Sequence, residues 1–110
     1  MYSSEDFAEI ICIFKKHVPN LDTLYLFGSY ANGNATEHSD ADIAVIVGKK
    51  PDWQERNTLL NLLWGDLSSK RYLVDIIIKQ KNDFEKDRDV PVTLSHTIAH
   101  EGKILWQTAA

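Results

Sequence analysis

Only one cysteine, Cys12, occurs in the 110 residues, so no disulfide within the chain can staple the fold. Its place in an apolar helical pattern predicts a buried small hydrophobe rather than a reactive thiol, which fits a reducing compartment. Long apolar runs are missing as well: nothing approaches the roughly 18 residues of a membrane span. The opening residues, MYSSEDF, lack the basic stretch and apolar core of an export signal. A cytoplasmic chain without membrane contact is expected. Basic residues are outnumbered, 12 Lys and Arg against 16 Asp and Glu for a net charge of -4. That balance excludes a broad cationic surface for direct nucleic-acid binding, so any polyanion must be gripped locally or through metal. What the chain does have is 44% hydrophobic residues, enough for one core, and a single domain over residues 1–110 is expected.

Periodicity divides that core among helices and strands. Ser3 and Asp6 have capping-box spacing, and Phe7, Ile10, Ile11, Phe14 and Val18 then recur at helical intervals, predicting a helix over 4–17. Pro19-Asn20 breaks it. Residues 21–27 form a strand pattern ended by Gly28-Ser29, and 30–39 are mostly turn formers, predicting a loop before a second strand at 40–47. Asp52 and Glu55 repeat the capping-box spacing ahead of an apolar stripe of Leu59, Leu60, Leu63, Trp64 and Leu67, so a second helix runs to Ser68-Ser69. Residues 72–78 are almost continuously apolar and β-prone, which predicts a central strand covered on both faces, with Asp75 its anomaly. Residues 82–89 suit a short helix or loop, and 92–101 a last helix halted by Gly102.

Chemistry concentrates in one spacing: Gly28-Ser29, ten residues, Asp40-Ala41-Asp42, then Asp75 alone on a later strand. Side chains on a strand alternate, so Asp40 and Asp42 share a face, where like charges repel. An ionised Asp75 among Val74, Ile76 and Ile77 would cost several kcal/mol without a compensator. No Lys or Arg lies within four residues of Asp40 or Asp42, leaving a metal as the simplest compensator. Oxygen ligands favour Mg²⁺, with Mn²⁺ the alternative, and Mg²⁺ commonly shares its shell with substrate phosphates. Gly28-Ser29 at a strand end offers close backbone approach and a hydroxyl for those phosphates.

The run GSYANGNATEHSDADIAV resembles the Gly-Ser…Asp-x-Asp signature of the nucleotidyltransferase superfamily related to DNA polymerase β. The later V-D-I-I is similar to its third aspartate strand, and IAHEGKILW to the closing segment of the minimal nucleotidyltransferase (MNT) family. The resemblance implies an α/β (α+β) domain with a mixed sheet flanked by helices, which binds Mg·ATP and transfers a nucleoside monophosphate with release of pyrophosphate. Carried over by position, Gly28 and Ser29 would bind the triphosphate, Asp40 and Asp42 both metals, and Asp75 the catalytic metal beside the acceptor oxygen. Asn32 departs from the pattern, standing before Gly33 where many relatives carry a basic residue. The resemblance further implies the antitoxin of a HEPN/MNT pair, which binds a HEPN ribonuclease toxin and adenylylates a tyrosine hydroxyl on it. Two alternatives stay open: an antitoxin that acts by binding alone, and a nucleotidyltransferase for a small molecule such as an aminoglycoside.

Other chemistry-bearing residues have plainer readings. His96 and His100 are four apart but lack the intervening Glu of a zincin. His38 suits a solvated loop, and Trp53, Trp64 and Trp106 suit core or interface rather than base stacking. Lys49-Lys50 and Lys70-Arg71 are charged turns. Ser29 lacks the setting of a covalent nucleophile.

Overall fold

Ser3 opens the first helix through a reciprocal cap: its hydroxyl accepts from the Asp6 amide (3.1 Å), and the Asp6 carboxylate accepts from the Ser3 amide (2.8 Å). The computed structural model describes residues 1–109. Helix α1 (Ser4–His17) buries Ile10, Ile13 and Phe14. Cys12 is exposed, contrary to expectation. At about 100° per residue it lies roughly 200° around from Ile10, on the outer face. Strand β1 (Leu21–Phe27) follows, then a single helical turn, α2 (Ser29–Asn32), within the segment expected to be loop. Next come β2 (Ala41–Val47) and α3 (Trp53–Ser69), the latter opened by the Asp52–Glu55 box. Leu59, Leu60, Leu63 and Leu67 are buried on α3, whereas Trp64, expected in the same stripe, is exposed. The chain continues as β3 (Val74–Gln80), α4 (Lys81–Asp87), α5 (Leu94–Glu101) and β4 (Lys103–Gln107).

The four strands lie in the order β3-β2-β1-β4. β1 pairs antiparallel with β2 and β4, and β2 pairs parallel with β3, which makes the sheet mixed. Period-two alternation divides the side chains between two layers. Leu24, Leu26, Ile43, Val45 and Val74 meet α1 and α3 in the larger cluster, while Tyr25, Ala44 and Ile46 meet Phe84 and Ile98 of α4 and α5 in a smaller one. β3 therefore corrects the expectation of a central strand covered on both faces: it is an edge, only Val74 is buried, and Asp75 is exposed. It also starts two residues late, because Arg71 turns with φ 64° and the Tyr72 amide bonds back to Leu67. β4, which no sequence pattern predicts, fills the opposite edge. No helix among the described residues is long and apolar enough to cross a membrane.

Two joints hold this arrangement. His17 Nε2 lies 2.6 Å from Asp66 Oδ2, tying the end of α1 to α3, with Lys16 at 3.7 Å. The His17 contact holds the Asp66 carboxyl below its ordinary value of 3.8, and Lys16 adds to this. A depressed carboxyl contributes stability above its unfolded pKa and loses it as pH falls through the folded one. Asp66→Asn should thus lower the urea midpoint at neutral pH, and the difference from wild type should shrink in acid well below 3.8. The second joint is Gly102, where a β-carbon would strike the Ile98 carbonyl and lie 3.0 Å from that of Leu26. Backbone cannot yield as a side chain does. Gly102→Ala should destabilise by about 1–3 kcal/mol, read by chemical denaturation.

Candidate active site

The end of β1 and the starts of β2 and β3 share one edge region of the sheet. Phe27 stands opposite Asp42 on β2, and Asp42 stands opposite Asp75 on β3. Because Asp42 shares parity with Ala44, and Asp75 alternates with Val74 and Ile76 of the larger cluster, both aspartates project toward the layer of α4 and α5. That layer's cluster leaves Asp42 half-buried and Asp75 exposed.

Gly28 makes the turn above them with φ 71° and ψ −148°, a conformation that side chains oppose. Its carbonyl accepts from the Ala31 and Asn32 amides at 3.0 and 3.1 Å, forming α2, which Gly33 closes in the left-handed region. A β-carbon on Gly28 would collide with Oδ2 of Asp42. Turn and carboxylate are therefore in direct contact, a relation that the sequence spacing does not reveal. Asn32 spends its side-chain oxygen on the Asn34 amide (3.2 Å), bracing the turn.

Electrostatics mark the same spot. Burial raises the Asp42 carboxyl above its ordinary value, then the charge of Asp75, a hydrogen bond shared with Asp75, and the charge of Asp40 raise it further. Among the described residues, no Lys, Arg or His forms an ion pair with any of the three. Asp42 and Asp75 face each other in register across β2 and β3; Asp40, exposed just before β2, adds repulsion without closing a cage. No three His, Cys, Asp or Glu among the described residues converge as a complete metal site. Repelling oxygens without a protein cation suit a divalent ion that completes its shell from water and substrate phosphates, as Mg²⁺ does. The cost assigned to Asp75 from its apolar sequence neighbours does not apply at an exposed edge, and the repulsion falls instead on Asp42.

His96 and His100 stack at 4.2 Å between ring centres, with Asp89 3.7 Å from His100. Trp53 and Trp64 are exposed rather than in the core that their apolar sequence neighbours suggested, whereas Trp106 packs at the margin of the larger cluster beneath Lys15. A polar cleft lined by Asp22, Tyr25, Lys81 and Arg88 lies at the opposite end of the sheet from the aspartates. Three tyrosines that no motif singles out lie next or close to a site segment: Tyr2, Tyr30 and Tyr72. A signal existed in Tyr30, which directly follows Ser29.

Residues 8–109 match the family described as Polymerase beta, Nucleotidyltransferase. The chain is 33% identical over 100 residues to protein adenylyltransferase MntA of Shewanella oneidensis, covering 91% of this chain and 64% of that protein, less than two thirds of its length. A crystal structure of a toxin–antitoxin complex with AMP-PNP superposes with a TM-score of 0.68 at 29% identity, over 94% of this chain and 75% of the other. A structure of the tri-AMPylated Shewanella oneidensis HEPN toxin with its MNT antitoxin gives 0.62 at 27% identity, over 96% and 74%.

Proposed function

The chain belongs to the polymerase β-type nucleotidyltransferases, and from that premise we propose that it is a minimal nucleotidyltransferase acting as an adenylyltransferase antitoxin. It moves AMP from ATP to a hydroxyl, a tyrosine, of a HEPN ribonuclease toxin and releases pyrophosphate. The observation that carries this reading is the contact of the Gly28 turn, Asp42 and Asp75 at one sheet edge, with no internal cation to neutralise the acids.

Each residue has a distinct task in the transfer. The Gly28 turn and the Ser29 hydroxyl hold the triphosphate. Asp40, Asp42 and Asp75 would hold the divalent ions, Mg²⁺ or Mn²⁺, whose positive charge stabilises the phosphoryl oxygens and the departing pyrophosphate. Asp75, on the exposed edge, faces the incoming acceptor and takes the proton of its hydroxyl as the new oxygen–phosphorus bond forms and the bond to pyrophosphate breaks. The acceptor brings most of its own surface, since the site is an open edge rather than an enclosed cleft.

Co-expression with a cognate HEPN protein, followed by intact mass of that partner, tests the proposal. AMP increments are expected with wild type and should vanish in Asp40→Ala plus Asp42→Ala, and with EDTA in a purified reaction. A folded double variant that neutralises the toxin undiminished, with no AMP on the partner in the wild-type case either, would leave binding alone as the function.

A further inference from the structure

We propose that Tyr2 is a positioning residue that locks the triphosphate turn to the strands carrying the aspartates. The kinetic part rests on the transfer reading above; the mechanical coupling stands on geometry alone. The Tyr2 ring stacks on Tyr30 at 5.6 Å between centres with planes 9° apart, and Tyr30 directly follows Ser29 in α2. The Tyr2 amide donates to the Tyr30 hydroxyl (3.2 Å). Its own hydroxyl accepts from the Leu73 amide at 2.6 Å, one residue before β3. The Leu73 carbonyl in turn accepts from the Ala41 amide at 3.0 Å, and Ala41 lies between Asp40 and Asp42. One residue thus links α2, through the Tyr30 side chain, to the backbone just before β3, and Leu73 carries the link on to the segment between Asp40 and Asp42.

The surroundings hold that side chain in place. Tyr72 meets Tyr2 edge-on at 5.3 Å, and Phe7 meets both Tyr2 and Tyr30 edge-on, at 6.1 and 5.6 Å. The Tyr72 hydroxyl reaches Glu9 (2.7 Å) and Asp6 (3.1 Å), fixing the start of β3 to α1. Aromatic contacts of this geometry favour one arrangement over sliding alternatives. The need for such a lock follows from β3 being an edge strand, which only β2 holds on its ladder. Without Tyr2, Asp75 keeps its neighbours but loses its fixed distance from the turn, and small misplacements in a transfer site cost rate.

The hydroxyl bond to Leu73 and the ring stack on Tyr30 separate by mutation, while the Tyr2 amide keeps its bond to the Tyr30 hydroxyl in both variants. Tyr2→Phe keeps the stack on Tyr30 but removes the acceptor for Leu73, so kcat for AMP transfer to the HEPN protein should fall about tenfold with KM for ATP nearly unchanged. Tyr2→Ala also removes the stack that steadies α2, so KM should rise in addition. Amide exchange read on the protein alone gives a second measure: Ala41 should exchange faster in Tyr2→Phe while Ala31 and Asn32 keep their protection, and all should exchange faster in Tyr2→Ala, at unchanged urea midpoint for Tyr2→Phe. A merely structural role would lower the folded fraction and leave kcat per folded molecule and KM untouched. That outcome, or unaltered Ala41 exchange in Tyr2→Phe, overturns the proposal. If wild type transfers no AMP, the function fails and exchange alone decides the lock.

Discussion

Asp42→Asn should cut AMP transfer by about a thousandfold and leave the fold as stable as wild type or more so. Losing a carboxylate that holds the ions removes several kcal/mol of transition-state stabilisation, and each 1.36 kcal/mol is tenfold in rate. Stability moves the other way because the raised carboxyl is a strained one: burial, Asp75 and Asp40 all disfavour its ionised form. A carboxyl raised in the fold binds its proton more tightly there than in the unfolded chain, so stability declines as pH climbs from 3.8 through the folded value. In EDTA, the asparagine variant should therefore unfold at a higher urea concentration than wild type at neutral pH. The two should converge in acid. If the aspartate merely capped a turn, its loss would lower stability and spare transfer.

Gly28→Ala should be nearly as damaging, by a steric route. The added carbon enters the space of Asp42 Oδ2, and φ of 71° with ψ of −148° is a region that only glycine occupies without strain. We expect about 1–3 kcal/mol of lost stability, and transfer down by about a hundredfold per folded molecule, since the carboxylate must move to admit the methyl. Gly33→Asn is the matched control. Gly33 is also left-handed, at φ 82°, but nothing lies within 4 Å of its missing side chain, and asparagine tolerates that conformation. It should keep wild-type transfer. Equal rates in the two variants would show that turn flexibility matters and contact with Asp42 does not.

Local signals made much of the fold legible. Ser3–Asp6 and Asp52–Glu55 foretold both capping boxes, Gly102 does halt the last helix, and the strands at 21–27 and 40–47 lie within a residue of expectation. The failures share a cause: each depends on what packs beside an element. Continuous apolar residues suggested that β3 was central, yet no strand follows it in the sheet, so its outer side is open. β4 escaped notice because its five residues show no alternation, with Leu105 and Trp106 adjacent, and only pairing with β1 makes them a strand. Cys12 and Trp64 sit beside buried residues in sequence but on the outer arcs of their helices. For the site, spacing placed Asp40 and Asp42 on one face, but the partnership of Asp42 with Asp75 depends on parallel register, which no local pattern encodes. The contact of Gly28 with Asp42 is equally non-local.

Manganese binding read by electron paramagnetic resonance addresses the metal assignment without any acceptor protein. With AMP-PNP present, wild type should take up Mn²⁺ that Mg²⁺ displaces, Asp42→Asn should lose most of that uptake, and Asp75→Asn should lose part of it. Undiminished Mn²⁺ uptake in a folded Asp42→Asn protein would contradict the assignment of these carboxylates.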